Sequence, residues 1–69
     1  MAHKRLLNRL REERARLDLT QADLAAKADV SRKTINTVEN GIFVPSTLLS
    51  LKLAARLGVT VEWLFWIED

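Results

Sequence analysis

Lys33, Asn36, Thr37 and Asn40 recur at steps of i, i+3, i+4 and i+7, with Arg32 just before them, so a helix would gather them on one face. Amide, hydroxyl and cationic groups at that spacing can donate to and accept from base edges and phosphates in a DNA groove. Ile35, Val38 and Ile42 mark the opposite, inward face of the same helix. Catalytic chemistry has far less to use. His3 is the one histidine, cysteine is absent, and Glu12, Glu13, Asp18, Asp23 and Asp29 are scattered over helix surfaces and caps. There is no glycine-rich phosphate loop, no nucleophile–base pair and no histidine–carboxylate cluster with metal spacing. The reading is a binding protein, not an enzyme, with no cofactor or metal.

The groove-compatible face needs a scaffold, and residues 20–41 read as a helix-turn-helix. Thr20 stands three residues before Asp23, a short-side-chain capping box opening a helix to about Ala28, with Leu24, Ala25 and Ala28 inward. Small Ala25 allows two helices to cross closely. Asp29-Val30-Ser31 makes the turn: Asp29 tolerates a left-handed backbone, and Ser31 caps the next helix. Asn40-Gly41 closes that helix, glycine supplying the left-handed residue. Ahead of this unit, Leu6, Leu7, Leu10 and Leu17 predict an amphipathic helix from about Lys4 to Leu17. Behind it, Ile42 to Pro45 is a loop. Ser46 caps a fourth helix that ends at Gly58, and Thr60 caps a short fifth one carrying Val61, Trp63 and Leu64.

Two charges violate the apolar stripes. Arg14 falls on the stripe of the first helix, and Glu39 falls among Ile35, Val38 and Ile42 in the third. An unpaired charge in a core is strongly unfavourable, so each predicts the other as its partner in a buried ion pair.

Sixty-nine residues make one domain, 1–69, with a single small core. The absence of cysteine fits a reducing compartment. No N-terminal apolar run resembles a signal peptide and no run is long enough to span a bilayer, so the expectation is a cytoplasmic protein. Net charge is only +2, but Lys4, Arg5, Arg9, Arg11, Arg14 and Arg16 crowd the first segment. Such a run suits phosphate backbones or anionic lipid, and it is also what a solvated helix face looks like. Glu12 and Glu13 interrupt the polar face and the apolar stripe is needed for the core, which argues against a membrane-surface helix.

Gln21-Ala22-Asp23-Leu24-Ala25, then Val30-Ser31-Arg32-Lys33-Thr34-Ile35, then Glu39-Asn40-Gly41 closely resemble the helix-turn-helix of the lambdoid phage repressor and Cro family, also called XRE. The resemblance extends through Leu57-Gly58-Val59-Thr60-Val61-Glu62-Trp63-Leu64. It implies an all-α, five-helix repressor-like DNA-binding domain with its third helix in the major groove. It further implies that Gln21 contacts phosphate and braces the recognition helix, that Arg32, Lys33 and Thr37 face base edges, and that Asn40 touches the backbone. An Arg14–Glu39 pair and a core tryptophan at Trp63 also match. Two positions depart from the pattern: Asp29 stands where many members have glycine, and Ala28 has less bulk than usual.

Physical chemistry fills in the roles on that geometry. Arg32 or Lys33 can donate to guanine, a good bidentate contact discriminating by about 1–3 kcal/mol, and Asn36 can pair with adenine. Gln21, Ser31, Asn40 and Arg11 would position the domain on phosphates without reading sequence. The tail, residues 63–69, holds five successive apolar residues from Trp63 to Ile67, too many to face inward together. Phe65, Trp66 and Ile67 are therefore expected at a dimer interface, the other reading being that the tail folds back over the chain's own core. A homodimer would set two recognition helices about 34–36 Å apart on a palindromic double-stranded operator, acting as a repressor. The alternative is an antitoxin-like module that grips a protein partner with this tail and uses DNA secondarily.

Overall fold

The computed structural model describes residues 4–68; His3 lies outside them. In chain order the elements are β1 (Leu6–Asn8), α1 (Leu10–Arg16), α2 (Gln21–Ala28), α3 (Arg32–Glu39), α4 (Thr47–Leu57), α5 (Val61–Leu64) and β2 (Phe65–Ile67). Thr20, Ser31, Ser46 and Thr60 each accept, through the side-chain hydroxyl, the backbone N–H three residues on, and so start α2 to α5. Thr20 and Asp23 form the reciprocal capping box. The carboxylate of Asp23 accepts the Thr20 N–H at 2.9 Å, and this hydrogen bond holds its pKa below the ordinary value. Asp29, at φ 57°, is the left-handed residue that turns α2 toward α3, and Gly41 and Gly58 do the same after α3 and α4.

Leu10, Leu24, Ile35, Leu53, Leu57 and Leu64 are fully buried, one or two from each helix, so a single core joins all five. Ala25 and Ala28 are buried as expected, letting α2 lie close to α3 and α4.

The fold is mostly helical but not all-α. β1 and β2 pair antiparallel, with Leu6 opposite Ile67, Leu7 opposite Trp66 and Asn8 opposite Phe65. The first helix therefore begins at Leu10 and not near Lys4. Asn8 makes the break: its side-chain oxygen accepts the Leu10 N–H at 3.1 Å, while its amide donates to the Val38 and Glu39 carbonyls at the end of α3. Backbone bonds from Arg9 to Leu64 and from Glu68 to Arg5 close the ribbon at both ends.

The ribbon also rewrites the tail. Phe65 is buried in the chain's own core, so it is not available to a dimer as expected, whereas Trp66 and Ile67 remain exposed. Ile42 is likewise not an inward residue. Helix α3 stops at Glu39, Gly41 redirects the chain at φ 72°, and Ile42 swings out to solvent while Pro45 is buried.

Candidate nucleic-acid interface

Helix α3 divides its residues cleanly. Ile35 and Val38 are buried, and Arg32 and Lys33 are exposed at its first turn, with Asn36 and Thr37 partly exposed behind them. The side chains expected to meet DNA differ in how far they are committed within the chain. Arg32 borders a shallow groove shared with Gln21 from α2, and Lys33 and Thr37 border another with Ile42 and Phe43. Thr37 turns its hydroxyl proton back onto the Lys33 and Thr34 carbonyls at 3.0 Å, which leaves it an acceptor lone pair and a methyl group. Asn40 caps the end of α3 by donating to the Asn36 carbonyl at 2.9 Å and to the Asn36 side-chain oxygen. Ser31 spends its hydroxyl on the Thr34 N–H at 3.1 Å.

The far end of α3 is held by Glu39, whose side chain is only 1% exposed. Both of its oxygens are bonded by the guanidinium of Arg14, and the second pair measures 3.0 Å. Arg14 also donates to the Leu19 carbonyl at 2.9 Å, so it ties α1 to the α1–α2 turn as well as to α3. The hydrogen bond with Glu39 raises the Arg14 pKa above its ordinary value. Gln21 reaches the same carboxylate at 3.3 Å, and Arg11, largely exposed, stands 3.8 Å from it. The expected ion pair is thus present, and two of the four expected phosphate contacts, Gln21 and Arg11, meet at its edge. Gln21 braces α3 through Glu39.

A second polar cluster on α1 went unforeseen. Glu13, placed by the sequence reading on a helix surface, is buried. It accepts from the Trp63 indole N–H at 3.1 Å and from Arg16 at 2.8 Å, and these bonds, Trp63 first, hold its pKa below the ordinary 4.5. Arg16 continues to the Leu57 carbonyl at 2.9 Å. Trp63 is half-exposed and not the core residue that the resemblance implied. Its ring and that of Trp66 sandwich the Arg9 guanidinium, at 4.0 and 4.4 Å from the ring centroids. A signal was available: Glu13 stands three residues after Leu10, on the same side of α1 as the buried leucine.

Residues 10–64, spanning all five helices, match the family model described as helix-turn-helix. The chain belongs to the XRE-type helix-turn-helix family. An uncharacterized HTH-type transcriptional regulator of Methanocaldococcus jannaschii is 47% identical over 62 residues, covering 90% of this chain and 94% of that protein. The HTH-type regulator YgzD of Bacillus subtilis is 37% identical over 62 residues, with the same coverage of 90% and 94%. Among solved structures, the restriction-modification controller protein C.AhdI from Aeromonas hydrophila is similar at a TM-score of 0.74 and 33% identity, over 78% of this chain and 82% of that one. The clp gene regulator ClgR from Corynebacterium glutamicum is similar at 0.71 and 31%, over 75% of this chain and 55% of that one. This XRE-type protein is a DNA-binding transcriptional regulator. Among its described residues no helix is long and apolar enough to cross a membrane.

Proposed function

We propose that this protein reads a specific double-stranded operator with α3 in the major groove and represses transcription by occupying that site. The observation that carries the reading is the division of α3: a buried apolar side and a buried carboxylate anchor it, while Arg32 and Lys33 stand exposed beside Asn36 and Thr37. A helix fixed on one side presents its other side at a defined angle, which base reading requires. Arg32 and Lys33 carry the guanine contacts, and Asn36 and Thr37 read neighbouring bases. Gln21 and Arg11 hold the backbone on one side, Ser31 contacts it through its main-chain N–H because its hydroxyl is engaged within the helix, and Asn40, whose main-chain N–H is bonded to Asn36, reaches it by turning its side-chain amide away from Asn36. Two copies on a palindrome place the half-sites one helical turn apart, about 34–36 Å.

The test is selection of sites from a random duplex library at near-physiological salt. The expected result is an enriched palindrome, with Arg32→Ala and Lys33→Ala relaxing preference at particular base pairs. A folded double variant that keeps the parent's affinity and preference would remove α3 from the reading. Arg11→Ala should instead weaken binding to all sequences alike and reduce the salt slope by about one.

A further inference from the structure

Along α3 runs a shallow groove lined by Ser31, Lys33, Thr34, Thr37, Ile42 and Phe43. Its residue types look polar, but its hydroxyls are engaged within the chain. Ser31 accepts the Thr34 N–H at 3.1 Å and shares a hydroxyl–hydroxyl bond with Thr34 at 2.9 Å. Thr37 donates to the Lys33 and Thr34 carbonyls at 3.0 Å. What the two threonines keep for a ligand is chiefly their methyl groups. Ile42 is 77% and Phe43 47% exposed, so the groove presents an apolar surface with Lys33 as the cation among its lining residues.

The loop that supplies Ile42 and Phe43 is fixed to α3. Gly41, at φ 72°, redirects the chain, and the backbone N–H groups of Ile42 and Phe43 both donate to the Thr37 carbonyl, at 3.0 and 3.2 Å. One carbonyl of α3 thus holds both residues close to the partly exposed Thr37 side chain. Charge narrows what this loop can meet. Residues 40–51, NGIFVPSTLLSL, contain no charged residue, in a chain that is 29% charged. A loop that gripped phosphates with its side chains would draw on lysine or arginine, and this one has neither. Apolar side chains beside a DNA-facing helix call for an apolar group on the DNA. The major groove of unmodified DNA presents one, the C5 methyl of thymine.

We propose that Ile42 and Phe43, pinned by the Thr37 carbonyl, complete with Thr34 and Thr37 an apolar seat for a thymine methyl, next to the base pair that Lys33 contacts. Sequence reading then extends beyond α3 onto the loop that follows it. The inference rests on the operator reading above and adds to it one base and one group on that base.

The test resynthesises the selected operator with deoxyuridine in place of thymine, one position of a half-site at a time, and measures binding of the full chain. Deoxyuridine keeps every hydrogen-bonding group of thymine and lacks only the methyl, so the contacts of Arg32, Lys33 and Asn36 are left in place. One thymine in the half-site is expected to lose about fourfold in affinity, the worth of one buried methyl. In Ile42→Ala with Phe43→Ala, circular dichroism should show the parent's helix content, and thymine and deoxyuridine at that position should bind alike. If this pair loses helix content, Ile42→Ala alone, at the more exposed position, should cut the methyl effect to about twofold. A folded variant that keeps the full methyl effect overturns the proposal, since α3 alone would then read the methyl. So does an operator in which no thymine responds, or in which the responding thymine lies away from the base pair whose preference relaxes in Lys33→Ala. Failure to enrich any site would instead overturn the operator reading, and this inference with it.

Discussion

Helix α1 is tied to the rest of the molecule by two polar clusters of opposite design. On one side Arg14 meets Glu39 in a two-pronged ion pair, with Gln21 and Arg11 at its edge. On the other, Glu13 accepts from Trp63 and Arg16, and Arg9 lies between two indole rings. The first joins α1 to α3 and is nearly closed to water at Glu39; the second joins α1 to α5 and β2 and stays half-open. If Arg14 is lost, the dry Glu39 carboxylate keeps only Gln21 and the more distant Arg11, whereas the exposed Trp63 and Arg16 of the second cluster can turn to water. The rigid tie therefore sits behind α3, and the softer tie sits behind the tail.

The largest expected effect breaks the first cluster. Arg14→Ala leaves Glu39 buried without its two-pronged partner and should destabilise the fold by about 3–5 kcal/mol in urea unfolding. Gln21 and Arg11 can only partly compensate from the edge. Replacing both members, Arg14→Met with Glu39→Leu, removes the charges together and should recover most of that loss. A double variant as unstable as the single one would show that the bonds to Leu19 and Gln21, and not the charge pair, dominate. Trp63→Phe addresses the second cluster. It removes one donor from Glu13 and leaves a smaller ring over Arg9, with Arg16 in place, so the expected loss is about 1–2 kcal/mol. A loss equal to that of Arg14→Ala would erase the distinction between closed and open clusters.

The same contrast governs what could be read in the sequence. Arg14 and Glu39 interrupt apolar stripes, so their pairing follows from the cost of leaving either alone. The caps at Thr20, Ser31, Ser46 and Thr60 and the left-handed Asp29 were legible because each depends on its immediate neighbours. Tertiary pairing was not legible. Residues 6–8 meet residues 65–67 across the whole chain, and a three-residue strand is too short to show a two-residue period. Adjacent Leu6 and Leu7 even favour the helical reading that Asn8 overrides. Trp63 and Glu13 each have an ordinary solitary explanation, a core ring and a solvated acid, and only the fold brings them to 3.1 Å. At the interface, the face of α3 could be read from spacing. That Asn40 turns its side chain back into the helix could not.

Acid should weaken the second cluster. Glu13 in the folded chain has a pKa below its ordinary 4.5, so its contribution is fully present above that value and is lost as the pH falls through the folded one. Asp23 in the capping box is shifted in the same direction from 3.8 and adds to the same acid loss. Unfolding free energy measured against pH should therefore fall below about 4.5, and in Trp63→Phe it should fall less steeply, because the largest cause of the Glu13 shift is gone. Equal slopes in parent and variant would mean that Arg16 alone holds the carboxylate.

The smallest effect concerns Arg9. Its guanidinium is flat and stacks on both rings at once, while a lysine ammonium keeps the charge but can lie over only one. Arg9→Lys should cost about 0.5–1 kcal/mol, the range for a partly exposed cation over a ring. Because β2 depends on this stack and α3 does not, the loss should appear as faster amide exchange in Trp66 and Ile67 with exchange in Ile35 and Val38 unchanged. Equal acceleration in both segments would mean that the tail and α3 open as one unit, and that the two clusters on α1 share a single cooperative fold.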